Sequence, residues 1–289
     1  VKDATESTQL VHDFSKFLVL FPGPARNYIQ RAIRRNSMNF QTIIAATCST
    51  LSVFAGLTGL PRDGQAEPLV VEADINTSKP AADIPDTELT RDATRLVREA
   101  EGDFLFEHSV RVYQWAELAG RRKGLIFDPE LLYVAALFHD FGLTDRYGQS
   151  HLRFEVDGAN AARDFLRGHG VPEVSRENIW LSIALHTTNG ISANLSPTAA
   201  LLAEGANMDL VGAGYDNFTT AERNAVEAAH PHRPHFADDF MEILYKSLGH
   251  RPETTQGTGL ADVMAYKDPT FRRRDFSNLM RNSKWAVGD

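Results

Sequence analysis

His139 and Asp140 stand side by side where an apolar run, "LLYVAALFHDFGLTD" (131–145), is about to turn. An imidazole beside a carboxylate offers one neutral nitrogen and one anionic oxygen, donors that divalent cations take from proteins. Successive helical residues point about 100° apart, so the two cannot share a face in mid-helix. At a helix end, with Gly142 to let the backbone turn, both can converge on one point. Taken alone, the dipeptide reads first as a salt-bridged pair that caps the helix.

Two further residues change the balance. His108 lies in "LFEHSVRVYQW" and Asp209 in "LAEGANMDLVG", each inside an apolar helical stretch. Singly, each reads as a satisfied polar group in a core. Together the four give two imidazoles and two carboxylates at core-facing positions of three helices. That is a reasonable mixed nitrogen and oxygen coordination sphere with room for water or substrate. The lone cysteine, Cys48, rules out a disulfide framework and a cysteine-rich zinc site. A GxxxxGK[ST] phosphate loop is absent. A net charge of −8 argues against broad binding of nucleic acid or anionic membranes, which needs excess Lys and Arg.

The elements that must position these residues are helical throughout. "TELTRDATRLVREAE" (87–101) puts Leu89, Ala93, Leu96 and Val97 on one face. Further helices are expected over 103–124, 128–142, 153–170, 175–190, 196–212, 219–229 and 236–249. Asp128-Pro129 and Ser196-Pro197 supply N-cap and first-turn signals, and Ser175 is a candidate cap. No stretch alternates with period two. The expectation is an all-α bundle of seven or eight helices over 86–289, with a loop-rich C-terminal tail that wraps it after His250.

An irregular N-terminal extension, 1–85, differs in character. "PARNYIQRAIRRNS" is basic, the weakly apolar 38–60 follows, and "PRDGQAEP" forms a polar exit. Residues 38–66 therefore read as signal-like, against the alternatives of a structural arm or a membrane anchor, so a cytoplasmic and a secreted location both stay open. No stable membrane span is expected in the body. A polar, proline-containing linker (76–86) joins the two regions. Association into a homo-oligomer stays open.

The order His108, His139-Asp140, Asp209 on helices of one bundle resembles the HD superfamily of metal-dependent hydrolases. More narrowly, "EHSVRVYQWAELAG", "AALFHDFGLTD", "HLRFEVDGANAARDFL", "IALHTTNGI" and "EGANMDLVG" resemble the fungal cyanamide hydratase-like HD proteins, over roughly 90–250. The resemblance implies an HD-domain bundle whose one divalent metal, zinc above Fe2+, Mn2+, Ni2+ or Co2+, is held by His108, His139, Asp140 and Asp209. It implies a small-molecule substrate, with metal-activated water adding across a nitrile such as cyanamide to give urea. A metal lowers the pKa of water, and the nitrile nitrogen then needs a proton from a nearby acid.

Catalytic candidates near the motif are Asp145, on the turn after the HD pair, His151, before the next helix, and His186, at the end of an apolar helix. Phe154, Glu155 and Thr187 are candidate substrate contacts, with an ion pair to Arg153 or Arg111 as the plainer role for Glu155. His169 lies between glycines and is expected to be exposed. "HPHRPH" (230–235) looks metal-like, but its prolines forbid fixed helical spacing, so it reads as a loop. One alternative is a phosphohydrolase acting on a nucleotide or phosphate ester, for which Arg111, Arg146 and Arg153 are the nearest cations. Another is a di-iron oxygenase that recruits His151 and His186. A non-catalytic HD-fold binding protein is the third.

Overall fold

Asp128 caps its helix as its type demands: its carboxylate accepts the backbone N–H groups of Glu130 and Leu131 at 2.9 and 3.2 Å, with Pro129 in the first turn. The computed structural model describes residues 81–285. The extension with its 38–66 segment and Cys48 lies outside the described residues, apart from its last few positions. The chain divides between Ala73 and Asp74 into two units, and the described residues belong to the second.

Nine α-helices follow among the described residues, and no strand. They are α1 (Glu88–Arg122), α2 (Pro129–Phe138), α3 (Phe154–Gly168), α4 (Glu173–Ala184), α5 (Pro197–Val211), α6 (Thr220–Ala229), α7 (Phe236–Leu248), α8 (Leu260–Lys267) and α9 (Phe276–Arg281). The all-α expectation holds. The tail after His250 is more regular than expected, since it includes α8 and α9.

The centre is built from α1, α2 and α5. From Leu132 to Phe138, α2 is buried on every face, as a helix apolar all round must be. The second half of α1 runs along it, and α5 packs on the same stretch of α1. Helices α3 and α4 pair with each other and close the far side of α2. A second apolar cluster joins Phe240, Leu244 and Leu248 of α7 and Met264 of α8 to Leu105, Leu143 and Phe154. It fastens the C-terminal helices over the HD end of α2.

Several boundaries depart from expectation. The segments 87–101 and 103–124 form one helix interrupted at Gly102, whose φ of 67° and ψ of 174° only glycine adopts readily. Helix α4 begins at Glu173 after Pro172, so Ser175 is not its cap, and it ends at Ala184 rather than 190. Helix α2 stops at Phe138, leaving His139 as its C-cap and Asp140 at φ −104°, ψ 3°. Gly142 is not in the left-handed region. Its role is space, since a Cβ there would meet the Phe154 carbonyl oxygen at 2.0 Å.

Candidate metal centre

Two helices bring three donors to one point. His108 comes from the middle of α1, and His139 and Asp140 from the turn that ends α2. His108 Nε2 lies 3.2 Å from His139 Nε2 and 3.5 Å from Asp140 Oδ2, and His139 Nε2 lies 3.3 Å from the same oxygen. All three residues are buried.

The tautomers follow from the outer hydrogen bonds. His139 Nδ1 is 2.6 Å from the Ala136 carbonyl oxygen, which can only accept, so Nδ1 donates and Nε2 keeps a lone pair. His108 Nδ1 likewise donates to Asp209 Oδ2 at 2.7 Å. Two imidazole lone pairs and a carboxylate oxygen thus face one another inside the protein. Asp140 Oδ2 has no hydrogen-bond partner there, which is costly for a buried carboxylate. A divalent cation among these atoms relieves both problems, so the residues fit a metal.

The electrostatics agree. Burial alone would raise the Asp140 carboxyl, yet the adjacent His139 and His108 hold it well below the usual carboxylate range. Burial also opposes a charged His108, but hydrogen bonds to Asp140 and Asp209 raise its pKa above the ordinary imidazole value.

The structure places Asp209 behind His108, beside the cluster. It comes from the last turn of α5 and meets His108 at Nδ1, the nitrogen opposite the cluster. Its other contacts are Arg111 Nε at 2.8 Å, Trp115 Nε1 at 2.9 Å and His232 Nε2 at 3.3 Å. Burial is again outweighed, here by His108, His232 and Arg111, and its carboxyl stays strongly acidic. Among the described residues, the metal-sized group is His108, His139 and Asp140, with Asp209 beside it.

The other candidates divide sharply. His186 is buried, its ring 5.0 Å from that of His139 and its Nε2 3.9 Å from Asp140 Oδ1. Its Nδ1 donates to the Ile183 carbonyl, so Nε2 is the nitrogen turned to the site. Burial and the neighbouring His139 lower its pKa. Phe154 is buried and stands edge-on to His186, with ring centroids 5.8 Å apart. Glu155 is buried in an ion pair with Arg153 at 2.6 Å and accepts the Thr187 hydroxyl, the plainer of its two expected roles. Asp145 turns out to solvent, 96% exposed, with Lys246 3.6 Å away, and does not face the metal cluster. His151 is exposed as well. A turn next to the motif in sequence can leave in any direction, and here the 3-10 segment Asp145–Tyr147 carries Asp145 outward, with His151 exposed in the chain that follows.

Two participants escaped the sequence reading. His232 of the "HPHRPH" loop reaches Asp209 and also pairs with Glu227. The loop reading was right, but nothing local shows where a loop docks. Glu101 is the other. It is half-buried as a residue, but its Oε1 is sealed from solvent without a partner, while Oε2 accepts the Ser109 hydroxyl at 3.3 Å. Burial and the charge of Asp140 push its carboxyl well above the usual range. The helix break at Gly102 was the available signal.

A polar-rimmed chamber of about 220 Å³ opens beside Glu101, between α1, the turn after the HD pair and α7. A larger, more open groove of about 480 Å³ follows Ile84–Glu99 on the first half of α1 and contains none of the metal-cluster residues. Over the cluster itself, Phe240 of α7 lies edge-on to His108 at 4.9 Å.

A buried His-His-Asp cluster held between helices of one all-α bundle defines a metal-binding helical protein. The HD domain family model matches residues 105–214, which contain His108, His139, Asp140 and Asp209, and this supports placement in the HD-domain superfamily. No curated protein matches the chain. Helix α7, whose aromatic side chains cover the cluster, lies beyond the matched segment. Enzymes of this superfamily are generally metal-dependent hydrolases, and no described helix is long and apolar enough to cross a membrane.

Proposed function

We propose that the protein is a metal-dependent hydratase or hydrolase that delivers activated water to a small uncharged nitrile-like molecule, with cyanamide, giving urea, as its model substrate. The observation that carries this reading is the cluster itself: three donor atoms 3.2 to 3.5 Å apart, one of them a buried carboxylate oxygen without a partner. Tetrahedral zinc with bonds of about 2.0–2.1 Å separates its ligands by about 3.3 Å, so zinc is the favoured ion. The cation supplies a Lewis acid and lowers the pKa of a water molecule at the site.

The protein's residues do the rest. His108, His139 and Asp140 hold the ion, and Asp209 fixes the His108 ring from behind. His186 presents a neutral Nε2 to the substrate, and Phe154 keeps that ring in place. The Glu155–Arg153–Thr187 group orders the wall next to His186. Phe240 limits access of bulk water from the α7 side.

The disposition of charge favours the small neutral class. Of the three arginines that a phosphohydrolase would use, Arg111 is tied to Asp209 and Arg153 to Glu155, while Arg146 is exposed. A dinuclear oxygenase would need a second ligand set, and exposed His151 is poorly placed to contribute. The test is to measure metal content in protein purified without added metal, then assay urea from cyanamide and phosphate from a nucleotide panel. Urea without phosphate is expected. Phosphate without urea transfers the assignment to the phosphohydrolase class.

A further inference from the structure

We propose that His232 is a positioning residue of the metal centre: through Asp209 it holds the His108 ring with Nε2 turned to the ion. The inference rests on the metal reading of the cluster and not on the identity of the substrate.

The contacts of Asp209 come from two directions. Its Oδ1 accepts Arg111 Nε at 2.8 Å and Trp115 Nε1 at 2.9 Å, and His232 Nε2 lies 3.3 Å from the same oxygen. Its Oδ2 accepts His108 Nδ1 at 2.7 Å. Arg111, Trp115 and His108 all belong to α1. Of these four contacts, His232 alone reaches the carboxylate from another part of the chain. The last torsion of an aspartate is broad, so donors on one helix leave the carboxylate plane some freedom to turn. A partner from a second direction removes it.

His232 is itself firmly mounted. Its Nδ1 pairs with Glu227 of α6. Both ring nitrogens thus face carboxylate oxygens, which only accept, and Nε2 donates toward Asp209. Two residues earlier, His230 Nδ1 lies 2.6 Å from Oε2 of Glu107, the neighbour of His108. Four residues later, the Phe236 ring lies 5.1 Å from the Arg111 guanidinium and edge-on to His232 at 4.7 Å. The segment 230–236 is therefore fastened to α1 on both sides of His232. His235 shows the strain of this docking, for at φ 63° it is the only non-glycine residue with positive φ among the described residues. Such a conformation persists where surrounding contacts hold it in place. The whole strap lies beyond residues 105–214, so it adds to the HD segment a support that the family match does not contain.

The consequence for the ion is indirect. Removing the outer partner of a ligating histidine weakens metal binding about 10- to 100-fold. His232 stands one step further out, so its loss should fall at the low end of that range, about tenfold.

The experiment uses the full chain as wild type, H232L, H232Q, D209N and the double variant H232L/D209N. The His232 side chain is 28% exposed on a loop, so leucine replaces it without opening the core. Thermal unfolding of the metal-free proteins checks the fold, and competition with a chelator measures zinc affinity. H232L should bind zinc about tenfold more weakly than wild type. H232Q, which keeps an N–H toward Asp209, should retain most of the affinity. In the D209N background the leucine change should cost less than about twofold, because its route to the ion is gone. A second readout needs no metal: the proton on His108 Nδ1 gives a downfield NMR resonance, which should shift in H232L and be lost in D209N. If wild type binds no zinc, the metal reading falls, and a resonance that still moves in H232L upholds the grip of His232 on the ring. The proposal is overturned if H232L binds zinc like wild type, if H232Q loses as much as H232L, if the loss is equally large without Asp209, or if the His108 resonance does not move.

Discussion

His108 and Asp209 meet through the wrong nitrogen for a shared metal. Asp209 Oδ2 accepts from His108 Nδ1 at 2.7 Å, and the opposite nitrogen, Nε2, faces His139 and Asp140. In this geometry the carboxylate sets the tautomer of the His108 ring. D209N should weaken metal affinity about 10- to 100-fold, the usual effect of removing such an outer partner. It should not abolish binding. Competitive titration with a chelator measures this, and complete loss of stoichiometric metal would show that Asp209 is itself a ligand.

His139→Ala and Asp140→Ala should behave differently. Each removes a donor from the cluster, so metal content and activity should disappear together. Elemental analysis of the purified variants checks both, and full occupancy in either variant would remove that residue from the ligand set.

Metal uptake should depend on pH with a definite sign. In the metal-free site the two flanking carboxylates raise the pKa of His108 above the ordinary imidazole value, so its proton persists to higher pH than usual. A ligating imidazole must be neutral. Below that raised pKa each bound ion displaces one proton from His108, and apparent affinity should fall about tenfold per pH unit as pH drops. Above it, this dependence should vanish. Calorimetric titrations in buffers of different ionisation enthalpy count the protons released.

The sequence exposed what is local and hid what is tertiary. Asp128-Pro129 and Ser196-Pro197 start helices where expected, because capping is decided within three or four residues. His108, His139 and Asp140 were legible because a polar donor in an apolar helix must face something. Ser175 misled because Pro172, with its fixed φ, already starts α4. The direction of the Asp145 turn, the docking of His232 and the opposite-face contact of Asp209 depend on packing between distant segments. No window of sequence contains that information.

Gly102 tests whether the kink in α1 carries a cost. At φ 67° and ψ 174° a Cβ is strained although open space surrounds it. Gly102→Ala should therefore destabilise the fold by about 1–3 kcal/mol, read from urea unfolding. It should also turn Glu101 away from Ser109 if α1 straightens, which a crystal structure of the variant would reveal. An unchanged unfolding midpoint would mean that the helix break is free of strain.

Arg251 tests whether the chain beyond the HD match supports the site. Its guanidinium is fully buried and donates to Asp157 Oδ2 at 2.5 Å, to the Leu152 carbonyl at 2.6 Å and to the Gly142 carbonyl at 3.0 Å. Gly142 is two residues from Asp140, so this one side chain ties the C-terminal region to the turn that presents the metal ligands. Arg251→Ala leaves Asp157 buried with only the Ser150 hydroxyl at 3.0 Å, and breaking a buried ion pair from one side costs about 3–5 kcal/mol. The double variant R251M/D157L removes both charges and should recover most of that loss, because the unpaired charge, rather than the missing bond, dominates the penalty. Thermal and urea unfolding of the single and double variants give the coupling directly. Equal destabilisation in both would mean that the carbonyl contacts of Arg251, and not its charge, hold the turn.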